Sequence, residues 1–320
     1  LILGIDIGGT KCAAALGEAE GTITARSEMP TRAEEGPTAI LARLRDTAQS
    51  LLEANHVSPE SLEGIGISCG GPLDTKAGLV WSPPNLPGWE AVPVRRFFEQ
   101  AFPGTRVVLE NDANATALAE WRWGAGVGAR NMVFMTMGTG IGGGLILDGR
   151  LYRGTNDLAG EVGHQTILMN GPLCNCGKRG CLEALASGPA IARLARESLH
   201  YGRGRRLVEF AGGKAQNITA KHVVEAAKLG DAFSIRILEE AGTYMGVGIA
   251  NIVQILNPER VVLGTIAVHA GDLILEPIRR ALREYAWKRS AEVCTVVPAA
   301  LGDKAQDLAA IALIAGGDAV

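Results

Sequence analysis

One pattern occurs twice along these 320 residues, and it limits the folds open to the chain. An apolar, β-branched run closes on a Gly-Thr turn, and a second strand-like run follows at once. The two copies read IDIGGTKCAAAL over residues 5–16 and FMTMGTGIGGGLIL over 134–147. Short apolar runs joined through glycine read as strand pairs. Two copies in corresponding positions point to an internal duplication, so the expected architecture is two α/β lobes with a cleft between them.

The intervening segments fit that plan. Residues 1–7, 12–16 and 22–28 read as a β-meander, and 38–54 carries Ile40, Leu41, Leu44, Ala48, Leu51 and Leu52 at helical spacing. Strands are expected at 65–68 and 107–109 with a helix over 94–102 between them. Residues 81–90 (WSPPNLPGWE) hold too much Pro and Gly for regular structure. A second unit is expected from about Asn114, with a helix to about Trp123 and strands at 132–137 and 145–147. Helices follow over 188–197, 220–228 and 232–256, then a strand at 261–263, a helix over 273–285, a strand at 292–298 and a closing helix over 307–315. Gly242, Gly246 and Gly248 cost helix stability one by one. Their spacing suggests a face pressed against another helix or a nucleotide.

Residues 164–183 read HQTILMNGPLCNCGKRGCLE. His164, Cys174, Cys176 and Cys181 supply the thiolate and imidazole ligands of a closed, tetrahedral structural zinc site. Gly171, Pro172, Gly177 and Gly180 supply the turns. The alternative is three buried free cysteines, since cysteine packs as a small hydrophobe. Half of the six cysteines falling in eight residues of a polar loop weighs against it. A disulfide framework is less attractive, because Cys12, Cys69 and Cys294 are scattered in apolar runs and nothing else suggests export.

With 47% hydrophobic and 20% charged residues the composition is that of an ordinary soluble globular protein, expected to be cytoplasmic. A net charge of −3 gives no support for an extended nucleic-acid surface, and the GRGRR run at 202–206 reads as a solvated loop. No apolar run reaches membrane-spanning length. The sequence given opens on a strand five residues ahead of Asp6, so no DNA-binding module is expected before it.

Asp6, Gly8, Gly9, Thr10 and Lys11 form a turn whose successive N–H groups can nest phosphate oxygens, with the Lys11 charge nearby. Asp6, at a strand end, could hold Mg²⁺ through water. Gly138, Thr139 and Gly140 could act likewise from the second half. Either turn alone is more often a plain hairpin than a phosphate site, and neither is a Walker or Rossmann loop. Glu110-Asn111-Asp112-Ala113-Asn114 lies where a strand hands over to a helix. One reading is an N-cap; the other makes Asp112 a base for a substrate hydroxyl. A helix N-terminus is expected to keep Asp112 ionised rather than raise its pKa.

These segments, together with Gly160-Glu161-Val162-Gly163-His164 and Val261-Val262-Leu263-Gly264 after Asn257-Pro258, stand in the order of the ROK family of sugar kinases. The sequence resembles that family over its whole length. The resemblance implies an actin/hexokinase-like fold of two RNase H-like α/β lobes, ATP and Mg²⁺ as well as structural Zn²⁺, and a homodimer. It implies lobes of 1–112 plus 303–320 and of 113–302, the larger carrying the dimer surface. It makes Asp112 the catalytic base, with Gly71, Asn111, Glu161, His164 and Glu183 on the sugar hydroxyls. His164 would serve zinc with one ring nitrogen and sugar with the other. Gly8, Thr10, Lys11 and Thr139 would face the ATP phosphates, Gly264 the adenosine, and residues 85–89 would form a sugar-side loop in which Trp89 reads equally as simple packing.

Two positions depart from the family pattern: Thr265 follows Gly264 where a second glycine is usual, and 301–306 reads LGDKAQ rather than a Leu-Gly-Asp-x-Ala-Gly run. Both fall on the nucleotide side. The expected activity is transfer of phosphate from ATP to the 6-hydroxyl of an aldohexose, glucose first. N-acetylglucosamine or N-acetylmannosamine kinases are alternatives of the same class, and a non-catalytic sugar sensor is one of another.

Overall fold

The computed structural model describes residues 1–199 and 204–316. β1 (Ile2–Ile7), β2 (Lys11–Gly17) and β3 (Ile23–Pro30) form the expected meander, and α1 (Gly36–Ala54) follows with Pro37 in its first turn. β4 (Gly64–Cys69) returns parallel to β1, with Ile7 level with Cys69. A two-stranded piece, β5 (Leu73–Asp74) and β6 (Leu79–Val80), precedes α2 (Val94–Ala101) and β7 (Val107–Asn111). α3 (Asp112–Trp123) comes next. The first sheet has the order β3-β2-β1-β4-β7.

β8 (Met132–Met135), β9 (Gly143–Leu147) and β10 (Arg150–Tyr152) repeat the meander. Then come the short α4 (Leu182–Ala186), α5 (Gly188–Glu197), α6 (Arg205–Phe210), α7 (Ala220–Lys228) and α8 (Ala232–Leu256). β11 (Arg260–Leu263), α9 (Ile266–Ala270), α10 (Asp272–Tyr285), α11 (Lys288–Val293), β12 (Thr295–Pro298) and α12 (Ala305–Ala315) complete the chain. The second sheet has the order β10-β9-β8-β11-β12, so both sheets place their strands third, second, first, fourth, fifth. The duplication read from the two Gly-Thr turns is therefore a duplication of topology.

Strand periodicity sets the packing of the first sheet. Leu3, Ile5 and Ile7 join Ile40, Leu44 and Phe98 in one buried cluster. The alternate residue Gly4 faces α12, where an added Cβ would lie 3.1 Å from Ala310 and Ile311. Gly66 on β4 is pressed against the Ala310 carbonyl. Side chains at either position would lift the helix off the sheet.

The chain divides by contacts into two compact units: Leu1–Arg130, Gly144–Gly160 and Ala300–Val320 in the first, and Asn131–Gly143 with Glu161–Ala299 in the second. The resemblance set the boundary at 112/113, whereas this division keeps α3 in the first unit, where α12 packs on it. In the second unit Gly242 and Gly246 of α8 lie against Ile274, Pro277, Ile278 and Ala281 of α10, and Gly248 lies against Leu182 of α4. Of the two readings of these glycines, the structure realises helix packing.

Several boundaries moved for identifiable reasons. The expected strand at 292–298 starts only at Thr295, because Lys288–Val293 form a helical turn in which Lys288 pairs with Glu292 at 3.9 Å. β8 stops at Met135, since Thr136 already closes the following turn through a 2.9 Å bond from its N–H to the Gly142 carbonyl. In the 202–206 run, Arg205 and Arg206 open α6 rather than a loop, while residues 202 and 203 lie outside the described residues. Among the described residues no helix is long and apolar enough to cross a membrane.

Candidate active site

In the first unit, β1, β4 and β7 run parallel and in register, so Ile7, Cys69 and Asn111 end level with one another. The turns that follow them therefore share the carboxyl edge of one sheet, the usual location of ligands in such sheets. After Ile7 comes the first Gly-Thr turn, closed by Gly8 N–H donating to the Lys11 carbonyl at 3.2 Å. A Cβ on Gly9 would lie 2.5 Å from that of Asn85, so the 85–89 loop presses directly on this turn. Trp89, further along that loop, is fully buried in the apolar cluster. After Cys69 comes Gly71, where a Cβ would lie 3.1 Å from Asn111 Nδ2.

Asp6 shares a face of β1 with Gly4 and is buried. Its carboxyl is pushed up to about 7, chiefly by burial, then by the charges of Asp112 and Asp307; a hydrogen bond from Ser68 and the Lys11 charge oppose the rise. A buried acid among other acids has the donor chemistry and the surplus negative charge that a divalent cation held through water requires. Lys11 was expected at the phosphates. In the structure its Nζ binds Glu28 Oε2 at 2.9 Å, and Arg26 bridges the same Glu28 oxygen and Asp307, each at 2.7 Å.

At the β7–α3 junction both readings of the Asn-Asp segment find a place, on different residues. Asn111 is the N-cap, its Oδ1 accepting from Ala113 N–H at 2.9 Å and Asn114 N–H at 3.3 Å. Asp112 begins the helix as an exposed residue, with its carboxyl closely surrounded by protein. Desolvation by the protein around it raises the Asp112 carboxyl, and the Ala113 N–H offsets this only in part. The expectation that the helix terminus would govern this group is thus corrected: desolvation outweighs the helix end.

Behind the junction, Glu110 is fully buried. It accepts from Asn111 N–H at 2.9 Å, Asn114 Nδ2 at 3.0 Å and Arg153 Nε at 2.7 Å. Its buried charge is thus paired and hydrogen-bonded, as such burial demands. Sequence reasoning quoted Glu110 but assigned it no role, and it missed Arg153; nothing local to Arg153 links it to a residue 43 positions away.

In the second unit, Gly138 N–H donates to the Gly140 carbonyl at 3.0 Å, and Gly188 N–H to that of Gly138 at 2.7 Å. The Glu183 carboxylate, at the start of α4, takes the Ile141 N–H at 2.9 Å and so holds the far side of the same turn. Gly264 and the turn are adjacent, since Gly264 N–H donates to the Met135 carbonyl at 2.9 Å. Thr265, at the position where the family usually has glycine, has φ 54° and ψ −105°, a backbone region costly for a β-branched residue. Its side chain lies beside Gly138.

The donor atoms of His164, Cys174, Cys176 and Cys181 all lie within 4.8 Å of one another. Cys176 and Cys181 sulfurs are 3.6 Å apart, and His164 Nδ1 is 3.7 Å from Cys174 Sγ. Tetrahedral zinc with bonds of about 2.3 Å to sulfur places its ligands roughly 3.8 Å apart, so spacing and donor chemistry fit that ion. Thr166 bridges Cys181 and Leu182 N–H donates to the Gln165 carbonyl at 3.0 Å, which ties the histidine segment to the last cysteine. Gly177 and Gly180 turn the loop at φ 82° and 68°. Burial, then hydrogen bonding to the neighbouring thiols, pushes Cys181 up to about 12, while a backbone N–H at Lys178 lowers Cys176.

His164 Nε2 faces the opposite way, 3.8 Å from Glu161 Oε2, and Glu183 Oε1 lies 3.8 Å from Cys174 Sγ. Glu161, His164 and Glu183, predicted to act together, are thus grouped in one unit beside the zinc-type cluster and the second Gly-Thr turn. The other predicted residues, Asp6, the 8–11 turn, Gly71, Asn111 and Asp112, are grouped in the first unit.

A family model for the ROK family matches residues 2–316. A glucokinase of Halalkalibacterium halodurans is 37% identical over 304 residues, covering 95% of this chain and 91% of its own. The ROK hexokinase of Thermus thermophilus has a similar structure, with a TM-score of 0.82 at 35% identity over 98% of this chain and 97% of that one. A ROK family glucokinase of Streptomyces griseus, solved in complex with glucose and AMPPNP, gives 0.80 at 33% identity over 97% of both chains. The α/β fold with its two like sheets is that of the ROK hexokinases. With the match running almost from end to end and the motifs in place, the chain belongs to the ROK family and is glucokinase-like.

Proposed function

We propose that this chain transfers the γ-phosphoryl group of ATP to the 6-hydroxyl of an aldohexose, with glucose as the first candidate, releasing the 6-phosphate and ADP. The observation that carries the reading is Asp112: an exposed residue at the head of α3, fixed by the Asn111 cap and the buried Glu110–Arg153 pair behind it. In this mechanism Asp112 accepts the O6 proton as O6 attacks the phosphorus. The raised carboxyl makes Asp112 a stronger base than an ordinary aspartate. Asn111, Glu161, His164 and Glu183 orient the sugar through its hydroxyls, and the two Gly-Thr turns donate N–H groups to phosphate oxygens, where such transfers depend on positioning and charge stabilisation.

Asp6 would hold Mg²⁺ through water, and the ion when bound neutralises phosphate charge. His164, Cys174, Cys176 and Cys181 would hold zinc, which when bound fixes the tautomer and tilt of the His164 ring. With Nδ1 on the cluster side, Nε2 is the nitrogen presented to sugar. The resemblance also supports a homodimer, to be checked by light scattering.

The test is ADP release measured across glucose, mannose, fructose, N-acetylglucosamine and N-acetylmannosamine, with Asp112→Asn alongside. Sugar-dependent turnover on glucose that Asp112→Asn abolishes supports the proposal. A preference for the acetamido sugars moves the assignment to an amino-sugar kinase. ATP-inert protein that still binds sugar would make it a sensor.

A further inference from the structure

Thr31 is fully buried directly behind the first Gly-Thr turn and has no part in the functional assignment so far. Its hydroxyl donates to the Gly8 carbonyl at 2.6 Å. Its own N–H donates to the Thr10 carbonyl at 3.0 Å, so the one residue holds two carbonyls of the turn. The Cys12 thiol adds a weak 3.8 Å contact to the Gly8 carbonyl and lies 3.4 Å from the Thr31 hydroxyl. Thr31 is itself anchored, since Arg43 donates to the Thr31 carbonyl at 2.6 Å and to that of Pro30 at 3.1 Å.

We propose that Thr31 is a positioning residue for the nucleotide phosphates: its hydroxyl locks the Gly8–Gly9 peptide with the Gly9 N–H facing outward. This rests on the reading above that the turn receives ATP. A trans peptide is planar, with C=O and N–H pointing opposite ways. Tying the Gly8 oxygen inward therefore sends the Gly9 N–H outward. The lock is needed because the peptide joins two glycines, which rotate with little steric resistance. A flip would replace an N–H donor by a carbonyl oxygen facing phosphate. A side chain at Gly9 is no remedy, as its Cβ would collide with Asn85. A hydrogen bond from behind is the means that remains.

The expected effect is the loss of one neutral hydrogen bond's worth of preorganisation, about fivefold for about 1 kcal/mol. Thr31→Val keeps the shape and removes the donor; Thr31→Ser keeps the donor. In the full chain, Thr31→Val should raise KM for ATP about fivefold with KM for glucose unchanged, and Thr31→Ser should restore the wild-type value. Should valine not be tolerated, Thr31→Ala removes the same donor and carries the same expectation. Equal movement of both KM values, an unchanged KM for ATP, or serine as weak as valine overturns the proposal. Calorimetric titration with AMPPNP and Mg²⁺ repeats the comparison without turnover. Absence of sugar-dependent turnover in the wild type then counts against the function, and an analogue affinity indifferent to Thr31→Val counts against Thr31.

Discussion

Replacing Thr265 by glycine should stabilise the protein, against the usual direction of such a change. At φ 54° and ψ −105° the residue occupies backbone space that suits glycine, and strain of this kind costs about 1–3 kcal/mol. Little opposes its release. The side chain is exposed and makes no capping bond to α9, so its removal forfeits neither burial nor a cap. Glycine does loosen the unfolded chain, by about 0.4–1 kcal/mol. The net gain is then about 1 kcal/mol. An unfolding entropy of about 2.1 cal/mol/K per residue amounts to roughly 0.7 kcal/mol/K for 320 residues, so Tm should rise by about 1.5 °C. Differential scanning calorimetry on wild type, Thr265→Gly and Thr265→Ala resolves this. Alanine keeps the Cβ and with it most of the strain, so its gain should be clearly smaller. A glycine variant at or below wild type, or an alanine variant equal to glycine, refutes the assignment of strain to the backbone.

Asp112→Asn should lower kcat by about 10²–10⁴; in the wild type the acid limb of kcat/KM should fall above an ordinary aspartate value, as desolvation by the surrounding protein raises this group, and a limb at pH 4 or below contradicts that. Cys176→Ser should lose the bound metal, lower Tm and raise KM for sugar more than for ATP; elemental analysis finding no zinc in the wild type overturns the metal assignment. Asp6 gives a pH dependence of stability. Its folded pKa of about 7 exceeds the usual 3.8, so the folded state binds the extra proton, and the contribution is full below pH 4 and gone above pH 7. Relative to Asp6→Asn, the wild type should lose on the order of 4 kcal/mol across that window, read from urea midpoints at pH 4 and 8; a constant difference refutes it.

What could be read from the residues was whatever repeats or alternates. α5, α7 and α8 fall where their apolar spacing placed them, because each is long enough for several turns of that spacing. β10, α4, α9 and α11 span three to six residues and carry no period to detect. The turn glycines, the Asn-Asp junction and the cysteine cluster were legible as chemistry. Their supports were not, since Glu110 meets Arg153, and Arg26 meets Asp307, only through the fold. The pKa of Asp112 was misjudged for the same reason: its helix position is local, whereas the protein that desolvates it is not.

The pairing of Arg26 with Glu28 and Asp307 has a second consequence, because β3 is an edge of the first sheet. An uncovered edge is a template on which another chain can add a strand and begin an aggregate. On β3, Thr24, Arg26 and Glu28 form the exposed rungs, and Pro30 ends the strand without an N–H to offer. An incoming strand would have to dehydrate both charges and would find the last ladder position closed. The salt-bridged rungs beside the first Gly-Thr turn thus also guard solubility, by making self-templating at this edge unfavourable.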